Sequence, residues 1–285
     1  MEQIGVLSYA LTGYEFSAVY NMLSLGIASM LFTSIFLWIA RDRVLPKYRL
    51  AVMVSATVTS IAAYHYFRMF DSFSHAYGMN ADSLAAGDAA KAMGADTVTG
   101  ALAFGAAHYN VGYRYIDWLL TVPLLLVELV AVLGLVKAVQ SSLLKRLVPA
   151  AALMIILGYP GDIHSHLFGL DNSVWGLLST IPFLYIMYVL WFEITKSLSS
   201  QTEKIRKLFL GLRLLLIATW GVYPITFILA MGQSGAPSAS DVVSREVGYS
   251  IADILAKCLF GLIIFSIARI KSAEDDKAFA AAEGH

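Results

Sequence analysis

Asp253-Ile254-Leu255-Ala256-Lys257 sits inside an apolar run from about Val247 to Ala268. An ionisable side chain in the middle of a membrane costs about 2.5–3.5 kcal/mol on insertion scales, so it marks a functional site and needs a partner. Asp253 is that partner. Four residues apart on a helix, the two side chains face the same way, and the carboxylate stabilises a positive charge on the Lys257 nitrogen. A lysine in apolar surroundings is also the side chain that forms Schiff bases with aldehydes. A second set lies upstream, where Arg114, Asp117, Thr121 and Glu128 follow at steps of three, four and seven and so share one helical face. The interval from Asp117 to Glu128 is about three turns, which stacks the two carboxyls about 16 Å apart along the axis. Arg114 alone would read as a side chain reaching for the interface or for backbone carbonyls. Four such residues on one face are different, because a line of carboxyls with an arginine and a lysine is how a proton relay is built.

The elements that position these groups must be membrane helices. The 285 residues are 58% hydrophobic and 14% charged, with a mean hydropathy of +0.69, which describes an integral membrane protein. A formal net charge of +0 leaves no footprint for nucleic acid, and the lone Cys258 excludes a disulfide framework. No His pair has metal-ligand spacing, so no metal is expected. No charged segment with a short apolar stretch and a cleavage site precedes Tyr14, so no cleaved signal peptide is expected. Seven runs are long enough to span a bilayer of about 30 Å. They cover approximately Tyr14 to Ala40, Leu50 to Phe73, Tyr109 to Val136, Leu147 to His164, Val174 to Lys196, Leu208 to Met231 and Val243 to Arg269. None alternates with period two, which excludes a β-barrel.

The fold expected is an all-α seven-helix bundle in the cell membrane, with residues 1–271 as one domain and 272–285 as a solvated, disordered tail. Lys and Arg concentrate after the odd-numbered helices, at Arg41, Arg43, Lys47 and Arg49, at Lys137, Lys145 and Arg146, and at Lys196, Lys204, Arg206 and Lys207. The opposite connections carry mainly acids. The positive-inside rule then puts the N-terminus outside and the C-terminus in the cytoplasm. The longest connection, about 74–108, is rich in Gly, Ala and Asp and forms a capping hairpin or a lid on the outer side.

Arg114-Tyr115-Ile116-Asp117-Trp118-Leu119-Leu120-Thr121-Val122-Pro123-Leu124-Leu125, Trp220-Gly221-Val222-Tyr223-Pro224 and Asp253-Ile254-Leu255-Ala256-Lys257 resemble the third-, sixth- and seventh-helix signatures of microbial rhodopsins. The resemblance spans the whole seven-helix region. It implies all-trans-retinal on Lys257 as a protonated Schiff base, with Asp117 as principal counterion and proton acceptor and Asp253 as second counterion. Glu128 then stands at the place of the cytoplasmic proton donor. The Asp117, Thr121, Glu128 combination resembles proteorhodopsin- and xanthorhodopsin-like proton pumps. An acceptor outside Lys257 and a donor inside it order the transfers one way: Lys257 to Asp117, then Glu128 to Lys257, then refilling from the cytoplasm. The cycle needs Glu128 protonated and Asp117 ionised at rest. Glu246 and Arg245 are candidate members of the release pathway on the outer side. In xanthorhodopsin-like proteins a histidine in the motif Ala62-Ala63-Tyr64-His65-Tyr66-Phe67-Arg68 bonds the acceptor, which makes His65 the partner of Asp117. A buried histidine bonded to backbone is the ordinary alternative.

By the same resemblance Trp118, Leu125, Met154, Gly158, Trp175, Ser179, Trp220, Tyr223, Pro224 and Phe227 form the retinal pocket. On the residues alone, such aromatics are ordinary membrane-helix packing. The resemblance places Leu125 at a position where leucine goes with green rather than blue absorption in proteorhodopsins, and Phe227 stands where some relatives have tryptophan. Gly176 stands where many relatives place a bulky aromatic. It either opens the pocket sideways to a hydroxylated or keto-carotenoid antenna on the fifth and sixth helices or serves close helix packing. The function expected is therefore light-driven outward proton pumping rather than enzymatic turnover, in a homo-oligomer of three or five copies. The alternative is a sensory photoreceptor signalling to a partner protein. The acid at Asp117 disfavours chloride, and Thr121 with Glu128 disfavours sodium.

Overall fold

The structure is a computed structural model that describes residues 11–77, 109–162, 167–199, 201–222, 224–225 and 239–282. Most of the long outer connection lies outside these residues, as do Tyr223 and Phe227 of the expected pocket. Every element among the described residues is helical. Helix α1 (Gly13–Ala40) starts at Thr12, whose hydroxyl accepts from the Glu15 amide at 3.2 Å while the Glu15 carboxylate accepts from the Thr12 amide at 2.8 Å. This reciprocal cap satisfies two amides that have no helical partner. A single 3-10 turn, Arg41–Arg43, leads to α2 (Pro46–Tyr77), which begins on a proline where a missing N–H costs nothing.

Helix α3 (Gly112–Val132) is stopped by Gly134, whose φ of 63° is the left-handed conformation that closes a helix C-terminus. Helix α4 (Lys137–Asp162) follows at once. Helix α5 begins as Asn172–Tyr188, widens into a π-helical turn at Val189–Glu193 and resumes over Ile194–Leu198. Helix α6 is Glu203–Trp220. Helix α7 runs Ala239–Ile254, passes through a second π-helical turn at Leu255–Leu259 and continues as Phe260–Asp275, with a short α8 (Lys277–Ala282) after it.

Among the described residues, a helix falls within each of the seven expected spans, and six of these helices are long and apolar enough to cross a membrane; the described part of α6 carries Arg213 and a cluster of charges in its first turns. Consecutive helices from α1 to α5 pack side by side, and α7 closes the bundle by packing on α1, α2 and α6. Phe32, Ile39, Leu177, Leu184 and Phe192 point outward and are exposed, which only a lipid surround makes favourable. At the far end, the boundary expected at Ser272 falls inside α7. Ser272 is buried and accepts the Leu45 amide at 2.9 Å, so the bundle extends through Asp275, and residues 277–282 are helical rather than irregular.

Lipid tails are as apolar as the helix surfaces, so tight packing, not exclusion from water, holds such helices together. The closest approach is at Gly26 on α1, where a Cβ would lie 2.2 Å from Cδ1 of Tyr66 on α2. Tyr66 is fully buried and cannot swing away. Gly26→Ala is expected to destabilise the bundle by about 1–3 kcal/mol, the usual cost of overpacking. An unchanged unfolding midpoint in lipid or detergent would show that α1 yields freely.

Candidate functional site

Lys257 sits in the π-helical turn of α7, a distortion that recurs at functional sites. Its Nζ lies 2.7 Å from Asp117 Oδ2 on α3 and 2.9 Å from Asp253 Oδ1 one turn earlier on α7. All three side chains are out of contact with solvent. An ammonium there is tolerable only because two carboxylates share it. Asp253 is held further by Trp118 Nε1 at 3.0 Å and by the Tyr66 hydroxyl, which donates to Oδ2 at 2.9 Å. Thr121 does not reach the Asp117 carboxylate, because its hydroxyl donates to the Asp117 backbone carbonyl at 2.8 Å.

Toward the α7 N-terminus the network continues through Arg114. Its Nη1 is 3.5 Å from Asp253 Oδ2 and its Nη2 is 2.7 Å from Glu246 Oε2, so one guanidinium bridges two buried carboxylates. The rings of Tyr66, Trp118 and Tyr249 lie 5.5–6.0 Å from its centre and exclude water. Glu246 also accepts from the Tyr109 hydroxyl at 2.9 Å and lies 3.7 Å from Arg245, which pairs with Asp162 at 3.4 Å. The sequence marks Glu246 and Arg245 as outer-side candidates but does not join them to Arg114. They follow no helical spacing that ties them to α3, and Tyr109 precedes the first turn of that helix.

In the other direction, Glu128 is buried to 0% exposure three turns along α3. Ser55 on α2 donates to its Oε2, while its Oε1 has no partner. Ser55 carries no signal in the sequence, since its meeting with Glu128 depends on how α2 and α3 register. His65 is buried, but no hydrogen bond joins it to Asp117. His65 Nδ1 and Asp117 Oδ1 are each buried without a partner.

A cavity of about 290 Å³ opens beside Lys257 between α3, α4, α5, α6 and α7. Trp118, Leu125, Met154, Gly158, Gly176, Ser179, Trp220 and Pro224 line it, together with Tyr115, Phe183 and Tyr249. Trp175, the neighbour of Gly176, is buried, with its ring 6.5 Å from that of Phe168. Ser179 Oγ donates to the Met154 carbonyl at 2.8 Å, and a Cβ on Gly158 would come within 3.3 Å of that oxygen, so α4 and α5 meet tightly at this wall. The α5 wall is thin. Leu177 both lines the cavity and is 67% exposed on the outer surface, next to Gly176. An aromatic and aliphatic slot ending at a lysine amine suits a long apolar aldehyde, with the amine as its covalent anchor.

Comparison with known proteins follows the same line. A profile of the family described as "Bacteriorhodopsin-like protein" matches residues 17–271. The chain is 28% identical over 246 residues to the green-light absorbing proteorhodopsin of Gamma-proteobacterium EBAC31A08, covering 85% of this chain and 82% of that protein. It is similar to the crystallographic structure of xanthorhodopsin, described as "a Light-Driven Ion Pump with Dual Chromophore", with 40% identity, a TM-score of 0.80 and coverage of 93% of this chain and 97% of that one. A thermophilic rhodopsin structure matches at 38% identity and a TM-score of 0.81, covering 94% and 99% of the two chains.

Removing one member of a buried charge network leaves the rest uncompensated, which costs about 3–5 kcal/mol. Arg114→Met is expected to lower stability by that amount, and Arg114→Met combined with Glu246→Met to recover part of it. The check is a double-mutant cycle on unfolding in mixed detergent; additive losses would mean that the two side chains do not depend on each other.

Proposed function

Starting from its membership of the bacteriorhodopsin-like family, to which the chain belongs, we propose that this protein is a light-driven pump that moves protons outward. It is a microbial, type 1 rhodopsin and a multi-pass protein of the cell membrane. Its family implies retinal bound to a lysine, and Lys257 is the residue that answers to this, with its amine at the end of the apolar slot. When bound, retinal supplies the visible absorption and the photoisomerisation that provides the driving energy.

The observation that carries the reading is the order of buried ionisable groups along the bundle. Glu246, Arg114, the pair Asp253 and Asp117, Lys257 and then Glu128 follow one another, all removed from solvent. Asp117 Oδ2, 2.7 Å from Lys257 Nζ, is placed to take a proton from that nitrogen. Asp253 lies at 2.9 Å and is held by Trp118, Tyr66 and Arg114, so it keeps its charge and its place while Asp117 changes. Glu128 is fully buried with one hydroxyl as partner and serves as the group that returns a proton to Lys257 Nζ. His65 Nδ1 and Asp117 Oδ1 are both left unsatisfied, which supports His65 as the side chain that steadies Asp117 once it is protonated. The excess of Lys and Arg after α1, α3 and α5 supports the Glu128 end as cytoplasmic. Net transfer is then outward.

The thin wall at Gly176 and Leu177 supports a second reading for the same pocket: a flat apolar polyene lying on the lipid face of α5 could reach the slot there. We take this to be a carotenoid antenna, in keeping with the dual chromophore that xanthorhodopsin is described as carrying.

Cells expressing the chain with retinal are expected to acidify the medium on illumination, and a protonophore to abolish the change. Asp117→Asn should remove it, and Glu128→Gln should slow proton return to Lys257 by about 100-fold or more at neutral pH. A coloured, folded protein with no pH change would transfer the reading to a light sensor. With a keto- or hydroxycarotenoid added, Gly176→Trp is expected to erase carotenoid bands from the action spectrum while keeping the retinal band. A wild-type action spectrum without those bands would remove the antenna.

A further inference from the structure

The last turn of α7 is bonded to every connection at its end of the bundle. From the α1–α2 side, the Leu45 amide donates to Ser272 Oγ at 2.9 Å, the Tyr48 hydroxyl donates to Asp275 Oδ2 at 2.5 Å and Lys47 Nζ lies 2.8 Å from the same oxygen. From the α5–α6 side, Thr202 Oγ1 donates to Glu274 Oε1 at 3.0 Å. Lys271 joins the remaining pieces. Its Nζ donates to the Leu133 carbonyl at 3.1 Å and to Gln201 Oε1 at 2.7 Å, and it stands 5.5 Å from the centre of the Tyr48 ring.

Lys271 is 7% exposed, unusual for a lysine at the end of a bundle, and its two bonds go to neutral oxygens. Leu133 is the residue that ends α3, where a cation is favoured by the helix dipole and by a carbonyl lacking a helical partner. Glu128 lies five residues back on the same helix, about 7.5 Å along its axis. Leu129, Val130, Val132, Ile264, Ile267 and Ala268, all at 0% exposure, fill this end of the core around it. Glu128 and these side chains are together closed to bulk solvent in this packing.

We propose that Lys271 is a positioning residue for proton return: it ties the end of α3 to α7 and to the α5–α6 connection, keeps the Glu128 compartment closed, and by its release sets the rate at which Glu128 is refilled. This rests on the reading of Glu128 as the proton donor. The charged groups around Lys271 are Lys47 on α2 with Glu274 and Asp275 on α7, and Tyr48 is the titratable ring beside it.

Retinal-loaded protein in lipid nanodiscs, excited by a flash in the presence of a pH-indicator dye, tests this. In the unsubstituted protein, uptake waits on opening, so its rate is expected to be independent of bulk pH. In Lys271→Met, which keeps the stem and loses the donors, uptake should become about tenfold faster, the equivalent of one charged hydrogen bond, and should rise in proportion to proton concentration. Lys271→Arg should restore slow, pH-independent uptake. If the methionine variant fails to fold, Gln201→Leu removes one of the two bonds and should shift uptake in the same direction by less. Hydrogen exchange on retinal-free protein gives a readout that needs no light: Leu45, Gly134 and Ser272 amides should exchange faster in Lys271→Met and not in Lys271→Arg. Uptake that already follows bulk pH in the unsubstituted protein, or exchange unchanged by Lys271→Met, would overturn the proposal. Absence of any transfer to Asp117 in the unsubstituted protein would sink the pump reading alone, and the exchange result would then decide the clamp.

Discussion

The rest of the structure depends on keeping one ammonium, Lys257, charged where bulk solvent does not reach it. Two carboxylates within 3 Å make this possible, but they bring a surplus of negative charge that must itself be balanced. Arg114 supplies the balance to Asp253, and Glu246 in turn anchors Arg114. Each added charge calls for the next, until Arg245 and Asp162 reach a less buried edge. The aromatic rings of Tyr66, Trp118 and Tyr249 serve this chain as walls and, for the first two, as hydrogen-bond donors. Fold and chemistry are therefore one problem here: the helices pack closely where glycines allow it, as Gly26 does against Tyr66, so that the polar groups meet without solvent.

The two sides of Lys257 are built differently. On the Arg114 side, polar groups touch one another continuously and charge can be redistributed over short distances. On the Glu128 side a single carboxyl stands in apolar surroundings with one serine. Carboxylates and hydroxyls stand within hydrogen-bond reach of one another on the Arg114 side, whereas close apolar packing surrounds Glu128. This asymmetry, rather than any one residue, is what makes a direction physically reasonable.

Much of the site could be read along single helices. Asp253 with Lys257, and Arg114 with Asp117, Thr121 and Glu128, obey the helical period, and the apolar runs that hold them are unmistakable. Partners contributed by another helix were harder, because nothing in α2 says that Ser55 will face Glu128 or that Tyr66 will face Asp253. Lys271 reads as one more basic residue near a solvated tail, and only the fold shows it turned inward onto Leu133. Trp175 is expected in the pocket by resemblance; it is buried, with its ring 6.5 Å from that of Phe168. The π-helical turns have no herald at all: Leu255–Leu259 contains neither proline nor glycine.

That turn in α7 carries an implication for how the helix is divided. A π turn accommodates one residue more than an α turn in the same length, so the segments before and after it are out of phase by one position. A helical wheel drawn straight through from Asp253 would turn Lys271 by about 100° from where it points. Loss of a single residue from Leu255–Leu259 would restore a regular spiral and rotate one half against the other, leaving each half internally sound. Asp253 before the turn and Lys271 after it thus belong to two separate registers, joined across Leu255–Leu259 by a one-residue vernier.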